Sequence, residues 1–152
     1  MLYLAYGSNL NVEQMKWRCP DATPVKGLAI DKYKLVFKYF ADIEKDDDSI
    51  LYAGLWDITP KCEESLDHYE GVDNQLYFKR YFRYKGDPVL YYKMNNYKIE
   101  KPSRSYVQTI AKGYKDFSLP ERFLYESVGK AIQFEEEFKY FEPEEETFNE
   151  NF

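Results

Sequence analysis

Leu2-Tyr3-Leu4-Ala5-Tyr6-Gly7-Ser8-Asn9-Leu10 is the stretch on which the reading of this chain turns. Its apolar and aromatic opening is too short for a helix and describes a buried strand that Gly7 ends. Gly-Ser-Asn then makes a tight turn. Asn11 followed three residues later by Gln14 is a capping-box pattern, and Val12, Met15 and Cys19 recur at helical spacing before Pro20, so a short helix is expected over 11–18. A strand that stops at Gly-Ser-Asn before a helix aims unpaired backbone N–H groups and a positive dipole end at one point, which suits a carboxylate or a developing oxyanion. Read alone, the same tripeptide is also ordinary turn chemistry.

Outward from this stretch, Val25 to Ile30 and Tyr33 to Phe40 read as two strands. Asp42 to Ser49, with Asp46-Asp47-Asp48 inside it, reads as an exposed loop, and Ile50 to Ile58 resumes strand character. Thr59-Pro60 sets an N-cap and a first-turn proline for a helix running to Tyr69, with Glu70 at its exit and Gly71 as its stop. Leu76 to Tyr84 and Pro88 to Met94 form a hairpin around Lys85-Gly86-Asp87. Two helices follow, Ser103 to Phe117 and Pro120 to Phe134. Strands in succession with short helices between and after them predict an α+β domain with a curled, mainly antiparallel or mixed sheet, not a doubly wound one.

Length is that of one ordinary domain, and aromatics make up 19% of it, sixteen Tyr and eleven Phe, so rings on half-buried strands should build the core. Of the net charge of −6, the segment Glu135 to Phe152 carries −7 through eight Glu and one Lys, which leaves the body near +1. We therefore expect a domain over residues 1–134 and a solvated, frayed acidic tail over 135–152. A body without a Lys/Arg cluster offers no footprint for nucleic acid. Cys19 and Cys62 stand far apart with no ligand-spaced His or Cys, which argues for reduced structural thiols and against a metal site. No basic leader precedes the first strand and no apolar run reaches bilayer length, so a cytoplasmic protein without membrane partners is expected. Exposed aromatics leave self-association open, a homodimer included.

Nucleotide chemistry drops out, because neither Gly-Lys-Ser/Thr nor Gly-x-Gly-x-x-Gly is present. His68, the only histidine, has no Gly-x-Ser-x-Gly partner and reads as a helix-face residue. Glu70 is the better candidate: at a helix exit, among aromatic neighbours, a carboxyl can point into a pocket and have its pKa raised.

Taken together, Tyr6-Gly7-Ser8-Asn9-Leu10 and Leu66-Asp67-His68-Tyr69-Glu70-Gly71-Val72 resemble two signatures of the γ-glutamylcyclotransferase superfamily, in the same order along the chain. Arg18-Cys19-Pro20, Tyr77, Met94-Asn95-Asn96-Tyr97, Pro102-Ser103-x-x-Tyr106 and Leu119-Pro120 agree with it, and the similarity spans about residues 2–128. One departure is Ala41-Asp42-Ile43, which carries Asp where many relatives have Ala-Asn-Ile.

The resemblance implies a small β-barrel flanked by short helices, with the pocket at one end of the barrel. It implies Glu70 as the catalytic residue and Tyr3, Leu4, Ala5, Tyr6, Gly7, Ser8, Asn9, Leu10 and Met94 as substrate-binding, with Tyr77 and Tyr106 as candidate pocket hydroxyls. The implied reaction needs no cofactor or metal: the α-amine of a small γ-glutamyl substrate attacks its own γ-carbonyl, expels an amine or amino acid and closes 5-oxoproline. The alternatives are a non-catalytic binding or regulatory module of the same fold, and an enzyme that processes a larger γ-glutamylated natural product.

Overall fold

β1 (Leu2–Ala5) lies at the centre of a five-stranded mixed sheet whose order is β2-β3-β1-β5-β4. The computed structural model describes residues 1–141. β1 runs antiparallel to β3 (Phe40–Asp57), with Ala5 opposite Gly54, and parallel to β5 (Asp87–Met94), with Tyr3 opposite Leu90. Tyr3, Leu4 and Ala5 are all buried, so both faces of this strand are covered, which explains why it reads as a continuous apolar run. β4 (Tyr77–Tyr84) and β5 form the expected hairpin on a two-residue turn, Lys85 and Gly86, both at positive φ as a type I′ turn requires.

The α+β, mixed-sheet expectation matches the structure, with two corrections. The sheet is not a closed barrel: β2 (Thr23–Lys38) and β4 are its two edges, and no ladder joins them among the described residues. The second correction concerns the β2–β3 hairpin. The two strands expected over 25–40 are one, bent where Lys32 takes a φ of 69°. The acidic stretch expected as a loop belongs to β3, whose register jumps from Lys45 opposite Tyr33 to Ile50 opposite Asp31, so Asp46 to Ser49 bulge against Lys32 alone. Asp42 to Lys45 are held by backbone pairing with β2, and Lys34, reaching Asp46 at 3.4 Å, ties the bulge to the same strand, which offsets the poor strand propensity of Asp.

Four helices flank the sheet. α1 (Val12–Arg18) starts at Asn11, whose side chain accepts the Gln14 N–H, and α2 (Pro60–Tyr69) starts at Thr59, whose hydroxyl accepts the Cys62 N–H. α3 (Arg104–Asp116) is capped by Ser103, and α4 (Glu121–Phe141) runs seven residues past the expected end of the domain. That part of the acidic segment is helical; the rest of the expected tail, 142–152, lies outside the described residues. No helix among the described residues is long and apolar enough to cross a membrane.

Between β1 and α1 the chain makes a single 3-10 turn over Ser8–Leu10. α3 packs directly on it: a Cβ added at Gly113 would meet the Leu10 backbone at 2.5 Å. Only glycine permits that approach. From the other side the Trp56 indole N–H donates to Asn9 O at 3.0 Å. The turn is thus clamped between helix and sheet.

Candidate active site

Gly7 ends β1, and the 3-10 turn that follows has no side-chain cap. The first amides of a helical turn have no partner within it, so the amides at its start face outward unless a ligand takes them. Gly7, Ser8 and Asn9 line a cavity of about 190 Å³, together with Gln14 and Arg18 of α1, Ala41 of β3, Glu70 beyond α2, and a ring of tyrosines.

Glu70 is the C-cap of α2, and its N–H still bonds to Leu66 O at 2.8 Å, so the last helical turn fixes its backbone. Gly71, at a φ of 63°, then turns the chain away and leaves the Glu70 side chain aimed inward. Glu70 is partly exposed, as a residue lining an open pocket must be. Even so, burial of its carboxyl pushes the pKa up to about 7, against the downward pull of Arg18 and of the Asn9 hydrogen bond.

Asn9 is the hub of the site and is itself buried. Its Nδ2 donates to Tyr3 Oη at 2.9 Å and to Glu70 Oε1 at 3.1 Å, while its Oδ1 accepts from Arg18 Nη1 at 2.9 Å and Gln14 Nε2 at 3.2 Å. With cationic and amide donors on the oxygen side, only the nitrogen can face Glu70, so the amide has one orientation. The Arg18 guanidinium also lies over the Tyr69 ring, 4.6 Å from its centroid.

The tyrosines divide by the direction of their hydrogen bonds. Tyr77 donates to Ala41 O and Tyr6 donates to Tyr92 O, each at 2.5 Å. A carbonyl only accepts, so both phenols have committed their protons and offer lone pairs to the cavity. Tyr106 accepts from the Ala41 N–H at 3.0 Å, and Tyr3 accepts from Asn9. Both keep a proton to donate. Burial raises the pKa of all four, so they remain neutral phenols.

Of the residues expected at the site, Tyr3, Tyr6, Gly7, Ser8, Asn9, Glu70, Tyr77 and Tyr106 line this one cavity. Four others do not. Leu4 points to the opposite face of β1, into a separate apolar cavity with Leu51 and Phe82, because successive side chains of a strand alternate. Ala5 is covered within the sheet, and Leu10 is turned under α3, both at 1% exposure or less. Met94 is held away at the end of β5, where its N–H donates to Asp42 Oδ1 at 3.0 Å. The sequence reading missed Gln14 and Arg18 as site residues, along with Phe40, Ala41, Tyr69 and Tyr92. Gln14 and Arg18 had a signal: four apart on α1, they share one face, about 100° round the helix from the buried Met15.

The family model of the AIG2-like family matches residues 50–126, about half of the chain. Mouse γ-glutamylcyclotransferase is 29% identical over 149 residues, covering 87% of this chain and 78% of that protein. The human γ-glutamylcyclotransferase is 26% identical, covering 96% and 81%. A solved structure titled as a γ-glutamyl cyclotransferase superposes with a TM-score of 0.72 at 26% identity, covering 84% of this chain and 85% of that one. A cavity built on the turn after β1 and on the glutamate after α2, the two segments whose resemblance was noted in the sequence, agrees with these likenesses: the protein is a member of the AIG2-like family in the γ-glutamylcyclotransferase-like superfamily.

Proposed function

We propose that this protein is a cyclotransferase that releases 5-oxoproline from a γ-glutamyl amino acid or γ-glutamyl amine. The observation that carries the reading is the Glu70 carboxyl, raised to about 7 and hydrogen-bonded to Asn9 in a cavity lined by Gly7 and Ser8 of the turn. A carboxyl with that pKa serves both as base and as acid near neutral pH.

Glu70 takes a proton from the α-ammonium of the bound γ-glutamyl group. The freed amine attacks the γ-carbonyl, a C–N bond forms and the carbonyl π pair moves to oxygen. The resulting oxyanion meets the proton that Tyr106 has kept, or an amide of the turn; one such donor is worth ~10²–10³ in rate. The oxyanion then collapses, Glu70 gives its proton to the leaving nitrogen as that C–N bond breaks, and the regenerated carboxylate takes the second proton from the ring nitrogen, which ends as the lactam N–H, and passes it to the released amine. Tyr6 and Tyr77, with only lone pairs to offer, suit the ammonium and not the carbonyl oxygen. The remaining N–H donors of Arg18 suit the substrate α-carboxylate. At about 190 Å³ the cavity is smaller than the ~300–1,000 Å³ typical of drug-sized ligands, which fits a γ-glutamyl unit inside and the leaving amine at the mouth beside Phe40 and Tyr69.

The test is 5-oxoproline release across a panel of γ-glutamyl amino acids and amines, comparing the protein with Glu70→Gln. We expect turnover on at least one compound and a fall of ~10²–10⁴ in the variant. Tight binding of a γ-glutamyl compound without product would replace this reading with the binding module.

A further inference from the structure

Asp42 is completely buried, and three donors converge on it. Lys38 Nζ and Lys93 Nζ each reach Oδ2 at 2.7 Å, and the Met94 N–H reaches Oδ1 at 3.0 Å. Lys38, itself only 7% exposed, also pairs with Glu44 at 3.3 Å. Burial lowers the pKa of Lys38, yet its bonds to Asp42 and Glu44 outweigh this and hold it above the ordinary lysine value. A buried carboxylate with two ammonium partners and a backbone donor is fully compensated, and removing any of them leaves charge stranded.

The position of this cluster in the topology gives it a purpose. β3 and β5 are separated in the sheet by β1, which ends at Ala5. Beyond that end the tip of the β2–β3 hairpin, turning on Tyr39 at a φ of 67°, comes back over the cavity. No strand ladder ties that part of β3 to β5; the Asp42 side chain does. On the other side the tip is tied by its backbone, Tyr39 N–H to Glu100 O at 2.9 Å and Glu100 N–H to Phe37 O at 3.0 Å.

Next to Asp42 is Ala41, the residue whose N–H binds the Tyr106 hydroxyl and whose carbonyl binds the Tyr77 hydroxyl. One peptide unit on each side of Ala41 therefore decides which phenol keeps its proton. We infer that Asp42 is a positioning residue: with Lys38 and Lys93 it latches the hairpin tip across the open sheet and so holds Ala41 where Tyr106 is made a donor and Tyr77 an acceptor. Its kinetic consequences rest on the reading proposed above, but the latch itself does not.

The test has two arms, both on the full chain. Amide hydrogen exchange is followed in Asp42→Ala and in Lys93→Met, a milder variant that removes one arm of the latch. Expected is exchange at Ala41 and Met94 at least ~10-fold faster in the first, and about fivefold in the second, with the β1–β3 amides as protected as in the parent protein. Parent-like exchange at both amides in the variants overturns the latch. If Asp42→Ala does not fold, Lys93→Met decides by the same criterion.

The second arm measures 5-oxoproline release. Asp42→Ala should lower kcat about tenfold and also raise KM through Tyr77, and should lower kcat much less in a Tyr106→Phe background, since both changes remove the same donor. An equal fall in both backgrounds overturns the positioning role. A parent protein that forms no 5-oxoproline from any γ-glutamyl compound removes the proposed function, and the exchange arm then decides the latch alone.

Discussion

The side-chain amide of Asn9 donates to Glu70 Oε1 at 3.1 Å, joining the turn after β1 to the residue that ends α2. Asp at position 9 could not donate there and would set a second carboxylate beside the first. Two carboxylates at that distance resist ionising together. Asn9→Asp should therefore move the ionisation seen in the pH profile of kcat/KM upward by ~1 unit or more. Steady-state kinetics from pH 5 to 9 measure it, and an unmoved profile would remove Asn9 from the control of Glu70.

Glu70 also leaves a mark on stability. Its pKa is about 7 in the fold against an ordinary value of 4.5, so between those values the folded chain binds more protons than the unfolded one. Stability then falls as pH rises through that window, by up to ~3 kcal/mol for a shift of this size. Glu70→Gln lacks the titration. Urea unfolding should find the variant more stable than the parent at pH 8 and nearly equal to it at pH 4.5.

Tyr77→Phe and Tyr106→Phe remove the same atom from opposite sides of Ala41. Tyr106→Phe loses the donor to the oxyanion and should lower kcat by ~10²-fold or more. Tyr77→Phe loses an acceptor for the bound ammonium and should act mainly on KM. Each strands one group of Ala41 at a cost of ~1–3 kcal/mol, so thermal unfolding alone would not tell them apart. The split between kcat and KM does.

Gly113→Ala tests the clamp on the turn. The new methyl would lie 2.5 Å from the Leu10 backbone, with no flexible side-chain end to move aside. A loss of ~1–3 kcal/mol is expected by calorimetry, with activity falling further than stability because Ser8 and Asn9 shift with Leu10.

Both cysteines are buried, and burial pushes the Cys19 thiol up to about 12, with Cys62 adding to the rise. Thiolate is the reactive form. Ellman's reagent at pH 8 should label neither thiol in the folded protein and both in 6 M guanidinium; rapid native labelling would contradict the packing of α1 on α2.

The sequence carried the frame of the site because its two anchors are local. Tyr6-Gly7-Ser8 ends a strand whatever lies around it, and Thr59-Pro60 to Gly71 bounds a helix by capping chemistry alone. The acidic run was misread because what holds Asp42 to Lys45 in a strand, and makes Asp46 to Ser49 a bulge within it instead of a free loop, is the partner opposite, β2, and no window of eight residues contains it. Leu4, Leu10 and Met94 are expected at the site through the family resemblance, whereas strand alternation, the packing of the 3-10 turn under α3 and the Met94–Asp42 hydrogen bond place them outside this cavity. Whether Tyr77 or Tyr106 keeps its proton depends on the two peptide units flanking Ala41, far from both in sequence.

The central place of β1 sets a schedule for folding. Leu2–Ala5 is made before either of its neighbours, and its pairing partners are residues 54–57 and 89–90. Loops of that length must close before the strand is repaid by contacts, and Tyr106 reaches the cavity later still. During synthesis this uncharged strand therefore has both edges unpaired until residues 54–57 emerge and one edge unpaired until residues 89–90 follow, and it is the segment a chaperone would shield and a neighbouring nascent chain would capture.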